Sequence, residues 1–291
     1  MSTILVTGAT GGLGHAVVET LLQTINPTQL AVLARDPAKA ADLQAKGVAV
    51  RQGDYSDYES LTAAFAGVEK LYFVATSSMT DRIQQHENVV KAATAAGVKH
   101  LVYTSFQRKT EDGTSPVAFI EEAHLVTEKL IKQSGLTYTI LKHALYLDVF
   151  PPFFGPQVLE NNTIYLPAST GRGAYASRHD LAVAGAAVLT SPGHENQTYE
   201  LAANTTYSLA DFAEALSTLS GRAVQYVAPS PAEFIAQLTQ AGVPAENSQM
   251  AAALMSAIAQ GEFDFPDPTL EKLLGRKPES LTDFLKAAYK L

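Results

Sequence analysis

A glycine-rich turn sits almost at the start of the chain. Thr7-Gly-Ala-Thr-Gly-Gly-Leu-Gly14 follows directly on the apolar run Ile4-Leu5-Val6. Glycines at 8, 11 and 14, between an apolar run and a helical pattern, have three separate physical uses. Gly8 permits a tight turn, Gly11 lets the backbone approach a pyrophosphate, and Gly14 lets the helix pack closely on the strand. The following helix points free N–H groups back at the loop, which suits an anion. Gly8, Thr10, Gly11, Gly12, Leu13 and Gly14 are therefore the candidate contacts to a dinucleotide pyrophosphate. The alternative is a strand-to-helix turn that binds nothing.

The rest of the first half supports a dinucleotide fold. Apolar runs at Thr3–Thr7, Leu30–Ala34, Val48–Gln52, Lys70–Ala75, Leu101–Thr104 and Tyr138–Leu141 alternate with helical patterns. Those patterns span Gly12–Thr24, Pro37–Lys46, Asp57–Ala66, Asp81–Ala96 and Pro116–Ser134. Such alternation predicts an α/β, Rossmann-type, doubly wound parallel sheet over residues 1–150. Beyond it, Val149–Pro156 is aromatic and proline-rich and reads as a loop. A short strand near Ile164–Leu166, a helix at Asp180–Thr190, a strand at Thr198–Leu201 and four mostly helical segments follow. Residues 151–291 are expected to form a smaller, mostly helical substrate-side domain, with some segments rejoining the sheet. Capping pairs at Ser56/Glu59, Ser208/Asp211, Ser230/Glu233 and Ser280/Asp283 mark helix starts rather than chemistry.

Composition excludes several function classes. The 291 residues carry a net charge of −8 with basic residues scattered, so nucleic acid is not an expected partner. There is no cysteine, which removes disulfides, thiolate catalysis and thiolate metal sites. The histidines His15, His86, His100, His179 and His194 show no metal-ligand spacing, and no metal is expected. No signal-peptide pattern or membrane-length apolar run occurs, so a cytoplasmic protein without membrane association is expected.

The second strand ends Leu33-Ala34-Arg35-Asp36-Pro37. An acidic residue here binds ribose hydroxyls in NAD sites, whereas Arg accommodates a 2′-phosphate. Asp36 precedes a proline at a first helical position and so reads as an N-cap. Arg35 is then free to pair with a phosphate, and NADP(H) is the expected cofactor. Lys39 could add charge, or serve as a solvated helix residue. Asp54 could approach the adenine edge or simply hold a turn. Thr76 and Ser77 follow the fourth strand, where they could contact ribose or pyrophosphate.

Taken with Arg35-Asp-Pro-Ala-Lys39, Gly53-Asp-Tyr55, Gln85-His-Glu-Asn-Val-Val-Lys-Ala-Ala93, Ala96-Gly-Val-Lys-His100 and Tyr103-Thr-Ser105, the glycine segment resembles the NmrA-like group of atypical short-chain dehydrogenases/reductases. Within that group it is most similar to the type 2 NAD(P)H:quinone oxidoreductases and the triphenylmethane reductases. Gly193-His-Glu-Asn-Gln-Thr-Tyr-Glu-Leu201 carries the resemblance into the second half. The resemblance implies a Rossmann-type domain, a small C-terminal domain and NADP(H). It implies reduction of quinones or cationic dyes, or a redox-sensing regulator without turnover. Gly8, Gly11 and Gly14 match the family's pyrophosphate loop, and Arg35 its 2′-phosphate residue. The near relatives carry Arg where this chain has Lys142, and lysine lacks the bidentate fork.

Ordinary short-chain dehydrogenases place Tyr-x-x-x-Lys on the helix after the fifth strand, both on one face. Here those positions hold His124 and Glu128, with Lys129 one residue out of register. A literal Tyr138-x-x-x-Lys142 lies in a predicted strand, where the two residues stand roughly 13 Å apart. Without that pair, the favoured acceptor is one that needs no strong proton donor, such as a quinone or a cationic dye, reduced through proximity alone and without flavin. His124 is the candidate donor, given an unperturbed pKa of about 6.5. Ser105 could line the same site on the cofactor side. Phe106, Tyr146 and Phe150 are the candidate contacts to a flat acceptor. Phe153 and Phe154 lie nearby, and the aromatic stretch could equally form a lid, an interdomain core or a homodimer contact. A non-catalytic NADP(H)-sensing protein is the alternative from another class. Sugar-nucleotide epimerase chemistry is disfavoured because it relies on the missing pair.

Overall fold

The computed structural model describes residues 3–78 and 80–291. Its strands are β1 (Ile4–Val6), β2 (Leu30–Ala34), β3 (Ala49–Gln52), β4 (Lys70–Phe73), β5 (His100–Phe106), β6 (Thr137–His143), β7 (Thr163–Tyr165), β8 (Arg172–Gly173), β9 (Gln197–Leu201), β10 (Tyr207–Ser208) and β11 (Gln225–Val227). The first-half helices are α1 (Gly12–Leu21), α2 (Ala41–Ala45), α3 (Tyr58–Phe65), α4 (Arg82–Ala95) and α5 (Ala118–Gln133). The second half holds α6 (Phe150–Phe154), α7 (Val158–Asn161), α8 (Arg178–Thr190), α9 (Leu209–Ser220), α10 (Pro231–Gln240), α11 (Ala245–Ala259), α12 (Thr269–Leu274) and α13 (Leu281–Tyr289).

Seven strands make one parallel sheet in the order β3-β2-β1-β4-β5-β6-β9. The expected doubly wound α/β architecture is therefore present. The strand order reverses between β1 and β4, and crevices at such reversals are where open sheets bind ligands. Side-chain alternation gives the sheet two apolar faces. Val6, Val32, Tyr72, Val102 and Leu141 face α1 and α8. Leu5, Leu33, Phe73, Tyr103 and Ile140 face α3, α4 and α5. Helix α8 comes very close to the sheet: a Cβ on Gly185 would stand 2.6 Å from the Tyr72 hydroxyl. Strand β9 pairs with β6, so residues 178–201 complete the sheet begun by residue 4.

A separate core gathers Phe150, Tyr175, Phe212, Met255 and Ile258. Around it stand α6, α7, α9, α10, α11 and α13 and two small sheets, β7–β11 parallel and β8–β10 antiparallel, while α12 packs against α8. Among the described residues, no helix is long and apolar enough to cross a membrane.

Several local expectations change. The proline-rich stretch is helical rather than a loop, with a 3-10 turn at Leu147–Val149 running into α6. Pro151 and Pro152 fall in the first turn of α6, where N–H groups lack intrahelical partners in any case, and Gly155 at φ 79° ends the helix. Five helices, not four, follow β9. Pro37–Lys46 divides into a 3-10 turn and α2. Helix α3 is capped by Asp57 rather than Ser56: the Asp57 carboxylate accepts from the N–H groups of Glu59 and Ser60 at 3.1 and 3.2 Å. The Ser208 and Ser230 capping boxes form in full.

Candidate functional site

The glycine loop closes the carboxyl end of β1. Gly8 adopts φ 62°, and a Cβ there would press on Val74 at 3.0 Å. A Cβ on Gly14 would collide with the Gly8 carbonyl, so this glycine sets the close approach of α1 to the strand. A Cβ on Gly11 would meet only the Gly8 carbonyl oxygen, at 3.4 Å, so the outer side of the loop is open there. Thr10, Gly11 and Gly12 are exposed, whereas the Leu13 side chain is buried in the core and leaves only its backbone to the loop. The first N–H groups of α1 have no intrahelical acceptor. This geometry fits a dinucleotide pyrophosphate against the loop.

Beneath the loop, Thr7 ties β1 to β4. Its hydroxyl donates to the Tyr72 carbonyl at 3.3 Å and accepts from the Val74 N–H at 3.0 Å. The Tyr55 hydroxyl lies 2.5 Å from Thr7 Oγ1 and 2.8 Å from the Val74 carbonyl. At the end of β2, Asp36 accepts from the Ala38 N–H at 3.0 Å, the capping role read from Pro37. Arg35 and Lys39 are exposed beside it. Asp54 is engaged in its own turn, accepting from the Ser56 N–H at 2.9 Å.

The loop after β4 is held from below by His86, which is fully buried. Its Nε2 accepts from the Thr76 N–H at 3.0 Å, so Nδ1 carries the proton and donates to Thr127 Oγ1 at 2.7 Å. Thr127 in turn donates to the Ala123 carbonyl. Burial pulls the His86 pKa down to about 3, which keeps this clamp neutral. Thr76 is half-buried and its hydroxyl accepts from the Ser78 N–H, while Ser77 is exposed at the rim.

On α5, His124 and Glu128 stand one turn apart facing β5. His124 is buried, with Nδ1 2.8 Å from the Tyr103 hydroxyl and its ring stacked on Phe106 at 5.9 Å. Burial lowers its pKa well below the ordinary histidine value. This site desolvates the charged form and so favours the neutral ring, which weighs against His124 as the candidate donor. Glu128 receives both arms of Arg108, at 2.8 and 3.0 Å, and the Ser105 hydroxyl at 2.5 Å. Burial opposes its charge, but these hydrogen bonds outweigh burial and its pKa is lowered. Ser105 is therefore corrected from a cofactor contact to a buried partner of Glu128. Tyr138 and Lys142 do lie on a strand, and Lys142 pairs with Glu200 at 3.2 Å.

The aromatic contacts separate. Phe106 is half-buried between His124 and Phe263, the latter at 5.8 Å. Tyr146 is half-buried, its hydroxyl 3.2 Å from His143 Nδ1 and its ring beneath the Arg178 guanidinium at 5.0 Å. Phe150 is fully buried against Phe212 and Tyr175, at 4.6 and 4.7 Å. It is corrected from an acceptor contact to a residue of the second core.

A cleft of about 490 Å³ opens between the loop after β4, the start of α4 and the first turns of α5. Ser78, Arg82, Ile83, Phe119 and Glu122 line it. The sequence reading missed it, although Ile83 and Phe119 are large apolar residues left exposed at helix starts. Elsewhere, His15, Glu19 and Asp42 bring potential ligand atoms within 4.8 Å of one another. They form a partly exposed polar cluster on α1 and α2, where His15 hydrogen-bonds Asp42 at 2.8 Å and Lys46 pairs with Glu19 at 2.5 Å.

Comparison with known proteins agrees with this geometry. The NmrA-like family model matches residues 1–286. Quinone oxidoreductase 2 of Escherichia coli (strain K12) is 39% identical over 280 residues, covering 96% of each chain. The NAD(P)H azoreductase of Xenophilus azovorans is 31% identical over 289 residues, covering 98% of this chain and 97% of that protein. The Citrobacter sp. triphenylmethane reductase complexed with NADP(H) superposes with a TM-score of 0.93 at 40% identity, covering 98% of this chain and all of that one.

Proposed function

The chain belongs to the NmrA-like family and is an NAD(P)H-dependent oxidoreductase, and from that premise we propose that it reduces quinones and similar flat conjugated acceptors by direct hydride transfer, without flavin or metal. The observation that carries this reading is the state of α5. Where a tyrosine–lysine pair would protonate an alkoxide, a neutral His124 and a Glu128 tied to Arg108 stand instead. Neither supplies a strong acid. An acceptor whose reduced form takes protons from water, or needs none, suits such a site.

NADPH, when bound, supplies the hydride. The open side of Gly11 and the α1 N-terminus would hold its pyrophosphate, and exposed Arg35 its 2′-phosphate. Asp36 commits one carboxylate oxygen to its cap, which disfavours it as the ribose ligand that selects NADH. Thr76 and Ser77, positioned by His86, would meet the ribose. Phe106 and Tyr146 offer aromatic surface, and the adjacent cleft admits an acceptor to the strand ends. These residues act by orientation and by excluding water, so the rate comes from proximity.

The test is NADPH oxidation by flavin-free protein across quinones and cationic triphenylmethane dyes, alongside NADPH titration. Turnover on at least one class is expected. Tight binding with no turnover on the whole panel would replace this reading with an NADP(H)-sensing protein.

A further inference from the structure

Arg178 reaches across from the second half of the chain to the glycine loop. It is the first residue of α8. A Cβ built on Gly12 would lie 3.4 Å from Arg178 Cδ, 3.9 Å from Nε and 4.0 Å from Nη1. The guanidinium thus rests on the backbone of the first residue of α1, beside the open face of Gly11. A side chain at 12 would stand in ordinary contact with Arg178, so the two halves of the chain meet closely at this point.

The residue is held from several sides. Its backbone N–H donates to Asp148 Oδ2 at 2.9 Å, and Ser177 caps α8 by accepting from the Asp180 N–H at 3.3 Å. Leu147 N–H donates to the Ala176 carbonyl at 3.0 Å, which fixes the approach to α8. Tyr146 supports the guanidinium plane at 5.0 Å. The head group itself is less engaged. Nη1 stands 3.6 Å from Asp148 Oδ1, an ion pair longer than a hydrogen bond. Among the described residues the guanidinium donates no hydrogen bond, and the side chain is 35% exposed.

We infer that Arg178 is a binding residue for the cofactor pyrophosphate, meeting the anion from beside the glycine loop. The planar fork matches two phosphate oxygens, and the aromatic and carboxylate supports hold it in place before the ligand arrives. This rests on the NADP(H) reading above, but it needs no turnover. Arg35 would then read the 2′-phosphate and Arg178 the diphosphate, from separate halves of the chain.

The test is titration of Arg178→Ala and Arg178→Lys with three probes. NADPH carries both phosphate groups, 2′-phospho-ADP-ribose carries both without nicotinamide, and 2′-AMP carries only the 2′-phosphate. Arg178→Ala should weaken NADPH and 2′-phospho-ADP-ribose alike, by roughly tenfold to a hundredfold, the range of one charge-assisted contact. Binding of 2′-AMP should hold, which also reports an intact fold. Arg178→Lys should recover part of the loss. Weakening confined to NADPH would place Arg178 at the nicotinamide instead. Equal weakening of all three probes would make its role purely structural, and unchanged binding of NADPH would remove it from the site. Each of these three results overturns the inference. If the protein binds these probes but reduces no acceptor, the reductase reading fails while this one stands.

Discussion

Replacing Arg108 with alanine isolates the most consequential buried charge in the molecule. Arg108 and Glu128 have side chains only 1% and 6% exposed. The substitution removes two charge-assisted hydrogen bonds to Glu128 and leaves that carboxylate with Ser105 alone. The lost contact to Glu111, itself 56% exposed, adds less than about 1 kcal/mol. Stranding one partner of a buried pair costs about 3–5 kcal/mol, so most of that penalty falls on Glu128. The sign of its pH dependence follows. In the native protein the Glu128 pKa is lowered, so its stabilisation is present above the ordinary glutamate pKa and is lost as pH falls through the folded value. In Arg108→Ala burial is opposed only by the Ser105 hydrogen bond and the charge of Lys142, so the pKa rises from its native value and protonation relieves the penalty on acidification. Urea denaturation at pH 7 and pH 4.5 checks both parts: a gap of about 3–5 kcal/mol at pH 7 should narrow at pH 4.5. Arg108→Met with Glu128→Leu should recover most of the loss. A gap below about 1 kcal/mol at pH 7, or one that ignores pH, would refute the reasoning.

Arg35→Glu should weaken NADPH far more than NADH in parallel titrations, and equal losses would remove Arg35 from the 2′-phosphate. Gly11→Val should abolish dinucleotide binding while leaving the far-ultraviolet circular dichroism unchanged, because the new side chain fills the loop's open face. His124→Ala should keep quinone reduction within about tenfold of wild type, since loss of a general acid removes about 10²–10⁴-fold. The wild-type kcat/KM should be flat from pH 6 to 8, because burial keeps His124 neutral throughout that window; a limb near pH 6.5 that vanishes in His124→Ala would restore it as a donor.

What could be read from the sequence was local. Gly8 and Gly14 have single-residue reasons that survive in three dimensions, a positive φ and a close helix. Asp36 revealed itself through Pro37. At α3 two capping residues stood side by side, and the backbone engaged Asp57 over Ser56. Phe150 was misplaced because its surroundings, Tyr175 and Phe212, come from 25 and 62 residues downstream. Ser105 looked free because its partner Glu128 and that partner's counter-ion Arg108 meet only once α5 folds back on β5. Arg178 carried no signal at all, since nothing in its own neighbourhood betrays the loop 166 residues earlier on which it rests.

The return of residues 178–201 to the sheet bears on how the molecule can be made and cut. A ribosome must release residue 201 of 291 before the last strand of the nucleotide-binding sheet can dock. Until then β6 is an open edge, and the Tyr72 side of the sheet lacks the helix whose Gly185 packs against it. Exposed edges of this kind recruit other chains. A nascent chain paused before α8 is therefore the stage most exposed to aggregation, and a fragment ended near residue 150 would be frozen at that stage rather than behave as an independent nucleotide-binding module.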